Sequence, residues 1–118
     1  PPAKLSVTTL VQGTGPKLTK GETVVAEYVG SIWRTGKIFS TTWPTSSQPN
    51  GIPFSFQLGG GVIQGWNDAL VGVPVGSRVM LVIPPSLGYG SQGQPSAGIK
   101  KNDTLVFVID ILATQPAA

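Results

Sequence analysis

Val62-Ile63-Gln64-Gly65-Trp66-Asn67-Asp68-Ala69-Leu70 is a stretch in which apolar residues recur at three- and four-residue steps. Val62, Ile63, Trp66, Ala69 and Leu70 fall on one stripe, which predicts a single short helix between Gly61 and Gly72, with Gly72 as its C-terminal stop. A helix of this length is marginal by itself, so its stripe has to be covered by whatever the rest of the chain forms.

On either side of this stretch the period is two. Val24, Ala26 and Tyr28 alternate with Thr23, Val25 and Glu27 in the run Thr23 to Ile32, and Phe54, Phe56 and Leu58 alternate with Ser55 and Gln57. Val79, Leu81 and Ile83 alternate with Arg78, Met80 and Val82, and Leu105, Phe107, Ile109 and Ile111 with Val106, Val108 and Asp110. With a weaker first run over residues 4–11, the pattern predicts an antiparallel sheet of about five strands, one face of which takes the helix. The 16 glycines and 11 prolines punctuate these runs. Two longer connections, Thr41 to Pro53 and Pro84 to Lys101, are rich in Ser, Pro, Gly and Gln, and loops of that length often carry function.

The 118 residues suit one domain around one core, with 40% hydrophobic and 11% charged residues arguing against disorder. The expected domain spans residues 4–113, with flexible ends at 1–3 and 114–118. Eight Lys and Arg against five Asp and Glu give +3, with only Lys100 and Lys101 adjacent. No basic stripe exists to follow phosphates, and no nucleic-acid partner is expected. The absence of cysteine and histidine excludes the common zinc sites, thiol nucleophiles and imidazole bases. No apolar run approaches the roughly 18 residues of a spanning helix, so no membrane insertion is expected. The chain, which starts Pro1-Pro2-Ala3 and ends Gln115-Pro116-Ala117-Ala118, is expected to be a fragment of something longer. Low charge, absent cysteine and these ends tip the compartment toward an exported bacterial protein, only slightly ahead of a cytoplasmic one.

Most of the aromatics are read first as core. Trp66 is the exception, because it follows Gly59-Gly60-Gly61-Val62-Ile63-Gln64-Gly65, where little side-chain bulk keeps a ligand from the backbone. Tyr89, between Gly88 and Gly90 in a loop just past a strand, can either project its hydroxyl into a cleft or plug the loop. Glu22, Glu27, Asp68, Asp103 and Asp110 show no paired spacing for acid–base work and are expected to be solvated charges or caps.

Seven motifs follow in order: Tyr28-Val29-Gly30, Gly36-Lys37-Ile38-Phe39, Pro53-Phe54-Ser55-Phe56-Gln57-Leu58-Gly59, Val62-Ile63-Gln64-Gly65-Trp66, Val75-Gly76, Leu87-Gly88-Tyr89-Gly90 and Thr104-Leu105-Val106-Phe107. Over roughly residues 5–112 they resemble the FKBP-type peptidyl-prolyl isomerases, the tacrolimus- and rapamycin-binding family. The resemblance implies an α+β fold, a half β-barrel of about five antiparallel strands wrapped around one short helix, with a pocket between them. It implies a catalytic set of Tyr28, Phe39, Trp66, Tyr89 and Phe107, Trp66 being the floor under the proline ring. It adds Phe54, Val62, Ile63, Ile99 and Ser40 as binding residues, with the Ile63 backbone N–H and the Tyr89 hydroxyl bonding ligand carbonyls. No cofactor or metal is implied. The implied partners are proline-containing polypeptides and, more weakly than in relatives, tacrolimus- and rapamycin-like macrolides, bound by a monomer.

The chain departs from the family pattern around the pocket. Ser40 follows Phe39 where many members carry an aspartate, and Thr41-Thr42-Trp43-Pro44-Thr45 offers no arginine to pair with one. Losing both partners threatens ligand contacts more than the fold, because no charge is left buried alone. Gln94 stands where relatives often have histidine, the loop from Thr41 to Pro53 is longer than in the smallest relatives, and the Gly60-Gly61 segment is shorter by one. Trp43 is read as a loop anchor ahead of an extra wall over the pocket mouth. Two readings follow: a working isomerase that assists folding, or a proline-peptide-binding or chaperone module of the same fold with little activity.

Overall fold

The computed structural model describes residues 4–42, 53–60, 62–90, 93–94 and 98–115. Among them, β1 (Ser6–Val11), β2 (Thr23–Ile32), β3 (Ile38–Thr41), β4 (Phe54–Gln57), β5 (Arg78–Ile83) and β6 (Leu105–Gln115) form one antiparallel sheet. One helix, α1 (Gln64–Leu70), and a 3-10 turn at Pro85–Leu87 complete the elements. The sheet order is β1-β5-β6-β2-β3, with β4 also pairing with β2, and the sheet does not close.

The period of two places one face of each long strand in the core. Val24, Ala26 and Ile32 of β2, Val79, Leu81 and Ile83 of β5, and Leu105, Phe107, Ile109 and Ile111 of β6 are all buried. β1 is the edge strand and keeps Val7, Leu10 and Val11 exposed, as its weaker pattern predicts. Trp66, Ala69 and Leu70 of α1 are buried against this face. The helix comes close because Gly65 has no side chain: a Cβ there would lie 2.6 Å from Ile83 Cγ2. Val62 and Ile63, read from the sequence as part of the helical stripe, precede its first turn, and Ile63 is the N-cap residue. Gly72, at φ +88°, follows the C-cap Val71.

The sequence pattern predicts about five strands, and β3 is the sixth. Its four residues lie just past the turn at Gly36 and are too few to show a period of two. β3 and β4 lie end to end along one edge of β2, β4 opposite Thr23–Ala26 and β3 opposite Val29–Ser31, while β6 runs the full length of the other edge. β6 continues to Gln115, past the sequence-based domain end at residue 113.

The turn after β2 is tied to the segment before β6. Arg34 Nε and Nη2 donate to Asp103 Oδ1 and Oδ2 at 2.9 and 3.0 Å, and the Lys100 backbone N–H donates to Oδ2 at 2.7 Å. Asp103 is therefore a buried, paired carboxylate rather than a solvated charge, because its partner lies 69 residues away and no local spacing marks the pair. The Arg34 hydrogen bonds, helped by that from Lys100, hold its carboxyl below the usual carboxylate range despite its burial. A lowered folded-state pKa stabilises the protein above the unfolded value of about 4, and the contribution disappears as pH falls through the folded value. Asp103→Asn is expected to lower the urea midpoint at pH 7, with the gap from wild type closing as the pH is taken from about 4 toward 2. Identical midpoints at pH 7 would mean that the pair contributes nothing to stability.

Candidate active site

Tyr28 stands where β2 changes partners. Beyond Ala26 the pairing with β4 has ended, and pairing with β3 begins at Val29. Between these, the Tyr28 N–H donates to Thr42 Oγ1 at 2.8 Å, and the Thr42 N–H returns a bond to the Tyr28 carbonyl at 2.9 Å. Thr42 is buried and so satisfies a stretch of backbone that neither β3 nor β4 pairs. The side chains on either side of this change open a cleft of about 620 Å³. Phe39 and Ser40 come from β3, Phe54 from β4, Phe107 from β6, Trp66 from α1, and Val62 and Ile63 from the segment just before it. Tyr89, Gln94 and Gly60 complete the lining from loops.

Trp66 is the centre of an aromatic box. Tyr28, Phe56 and Phe107 meet its ring edge to face with centroids at 5.1, 5.2 and 5.3 Å, and Phe54 does so at 6.2 Å. Phe54 and Phe56 stack at 5.5 Å, and Phe39 meets Phe107 edge to face at 5.6 Å. Such contacts contribute about 0.5–1.5 kcal/mol per pair beyond area burial, so the rings fix one another as well as the wall they form. Trp66 is only 3% exposed, and its Nε1–H is buried without an acceptor among the described residues. That cost is accepted in a surround made of aromatic carbon.

The cleft contains no carboxylate, ammonium or guanidinium group among its described lining residues. Its polar groups are hydroxyls, one carboxamide and backbone. Tyr28 Oη and Ser40 Oγ are 2.7 Å apart. The Ile63 N–H and the Tyr89 hydroxyl have no hydrogen-bond partner among the described residues, whereas the Ile63 carbonyl accepts from the Trp66 and Asn67 N–H groups. Asn67 fixes the approach to the helix: its Oδ1 accepts from Gly59 N at 2.8 Å, and its Nδ2 donates to the Val62 carbonyl at 3.3 Å.

Nine of the ten sequence-derived site residues line this cleft: Tyr28, Phe39, Ser40, Phe54, Val62, Ile63, Trp66, Tyr89 and Phe107. Ile99 does not. Its side chain is 1% exposed within the core, and its backbone bonds Gln94 in both directions, so it anchors the rim that Gln94 forms rather than the wall itself. Trp43 lies outside the described residues. Three supporting residues are absent from the sequence-derived site: Phe56 behind the floor, read from the sequence as inward-facing core, Thr42 behind Tyr28, and Gly30. A signal for Gly30 is present, since a glycine on the inward register of a strand marks a close approach. The approach is that of the cleft walls, because a Cβ on Gly30 would lie 2.6 Å from Phe107 Cε1 and 2.9 Å from Phe39 Cζ.

Residues 15–112 match the family model described as FKBP-type peptidyl-prolyl cis-trans isomerase. Among curated proteins, the chain is 40% identical over 114 residues to an FK506-binding protein of Streptomyces anulatus, covering 96% of this chain and 88% of that one. It is 42% identical over 106 residues to the isomerase FkpA of Escherichia coli, covering 90% of this chain but only 35% of FkpA. It is 36% identical over 104 residues to the isomerase FKBP12 of Arabidopsis thaliana, covering 87% of this chain and 91% of that one. Among solved structures, a peptidyl-prolyl cis-trans isomerase of Pseudomonas syringae superposes with a TM-score of 0.81 at 35% identity, over 95% of this chain and 76% of that one. FkpA of E. coli superposes with a TM-score of 0.82 at 38% identity, over 97% of this chain and 49% of that one.

The position of Gly30 predicts the effect of a single methyl. Gly30→Ala should push Phe39 and Phe107 off their edge-to-face contact and destabilise the domain by about 1–3 kcal/mol, the usual cost of overpacking. Urea denaturation gives the stability, and aromatic NMR shifts report the two rings. Wild-type stability with unmoved ring resonances would show that the walls yield freely.

Proposed function

The chain belongs to the FKBP-type peptidyl-prolyl cis-trans isomerase family, an enzyme class, and on that premise we propose that its aromatic cleft is where the X–Pro bond is held and turned. The observation that carries this reading is the box of rings closed around Trp66, apolar at its floor and open to solvent at its mouth. In this reading residues 4–113 act as one unit. The proline ring lies on the Trp66 indole between Tyr28, Phe54 and Phe107, an arrangement that shape and dispersion favour over open solvent.

The chemistry asks for no nucleophile, in keeping with a chain that lacks histidine and cysteine. Amide resonance sets a rotation barrier of about 18–20 kcal/mol, and unaided X–Pro bonds exchange over tens to hundreds of seconds. Twisting the bond removes the resonance and, with it, the charge separation of the planar amide. A cleft that takes water away from the bond while offering it no charged group disfavours the planar, charge-separated form relative to the twisted one. Each 1.36 kcal/mol of that preference is about tenfold in rate. The Ile63 N–H and the Tyr89 hydroxyl, without a partner among the described residues, are suited to hold flanking carbonyls of the peptide. Macrolides of the tacrolimus and rapamycin type are proposed ligands of the same cleft, bound more weakly than by relatives with a carboxylate where this chain has Ser40.

The test is acceleration of cis–trans exchange in an Ala-Leu-Pro-Phe-type peptide, followed without a coupling protease. Wild type is expected to accelerate it, Trp66→Ala to lose about tenfold or more of kcat/KM while remaining folded in urea titrations, and Tyr89→Phe to lose a few-fold to tenfold. Absence of acceleration by wild type would reduce the chain to a binding module. Full activity in a folded Trp66→Ala variant would remove the proposed floor.

A further inference from the structure

Tyr28 Oη and Ser40 Oγ lie 2.7 Å apart in the cleft wall, and either oxygen can be the donor. Two hydroxyls carry two hydrogens between them, and the bond they share uses one. Neither hydroxyl has a second partner among the described residues. Whichever way the shared bond runs, one O–H hydrogen remains on a group that lines the cleft. An ionised aspartate at this position would do the opposite: a carboxylate only accepts, so it would take the Tyr28 hydrogen and leave the wall with no donor.

We propose that the Tyr28–Ser40 hydroxyl pair donates a hydrogen bond to a carbonyl oxygen of the bound polypeptide, making Ser40 a specificity-determining residue that turns this wall from acceptor to donor. The inference rests on the reading of the cleft as the isomerase site. Resonance decides which carbonyl is meant. A donor on the oxygen of the rotating amide stabilises the planar, charge-separated form and slows rotation, so a pair placed there would oppose catalysis. The bonded carbonyl is one that flanks the X–Pro bond and keeps its bond in the planar and twisted states alike. Uniform binding of that kind appears in KM and leaves kcat alone.

Ser40→Asn and Ser40→Asp are near-isosteres that separate the two polarities. A carboxamide accepts the Tyr28 hydrogen and still donates through Nδ2, whereas an ionised carboxylate can only accept. On an Ala-Leu-Pro-Phe-type peptide at pH 8, KM for Ser40→Asp is expected to be about five- to tenfold above that for Ser40→Asn, with kcat differing by less than about twofold. Equal KM values, a lower KM for Ser40→Asp, or a difference confined to kcat would each overturn the proposal. If Ser40→Asp does not fold, the Tyr28→Phe/Ser40→Val double variant, which has no hydroxyl left, takes its place with the same expected rise. NMR titration of the same variants with the peptide keeps the outcomes apart. A wild-type protein that binds but does not isomerise contradicts the enzymatic reading, while the ratio of dissociation constants between the two variants still decides the hydroxyl pair.

Discussion

Trp66 has to be covered. It sits on a seven-residue helix too short to be stable alone, and the rings that cover it are drawn from β2, β4 and β6. Edge-to-face packing at 5.1–5.3 Å on three sides leaves the indole little freedom, and the fixed indole in turn sets where Tyr28 and Phe107 stand. The floor of the cleft and the junction of helix and sheet are therefore one structure. Changes that loosen the helix should also open the site, because no separate scaffold holds the two apart.

The cleft opens where it does because of strand pairing. β2 is long enough for two short partners along one edge, and at the change from β4 to β3 the side chain of Tyr28 faces a gap that Thr42 seals only at the level of the backbone. Gly30, two residues on, keeps the inner face low enough for Phe39 and Phe107 to close together above it. On the far side, the bidentate Arg34–Asp103 pair fixes the turn that leads into β3 against the segment that leads into β6. The ion pair and the Thr42 backbone bonds thus brace the site from outside, and the hydrogen bond within its wall is that between Tyr28 Oη and Ser40 Oγ.

Most of this was legible in the sequence for a simple reason. The runs containing Val24, Val79 and Leu105 alternate cleanly, because each buries one face of its strand, and the helical stripe through Trp66 differs from them in period. β3 was not legible: four residues after a glycine turn carry too little pattern, so Phe39 was read only as a core aromatic and the resemblance alone gave it and Ser40 a place in the pocket. Asp103 was misread because its partner is 69 residues away, and local spacing cannot show a long-range ion pair. Ile99, carried over from the family as a binding residue, is buried and is not among the described residues that line the cleft. Its position in the chain is right for the rim, yet its side chain turns into the core and leaves Gln94 at the cleft.

What distinguishes this site is that it is apolar at the floor, neutral throughout its described lining, and polar only through hydroxyls, amides and one carboxamide. Such a site can desolvate and shape an amide but has no carboxylate, imidazole or amine with which to move a proton. The most direct test of that account is the pH dependence of kcat/KM for prolyl isomerisation, measured on a peptide with no ionisable side chain. The account predicts a flat profile between about pH 5 and 8.5. A bell-shaped profile, or a limb with a clear apparent pKa inside that range in a protein that stays folded, would contradict it by showing a titrating group at work in the rate-determining step.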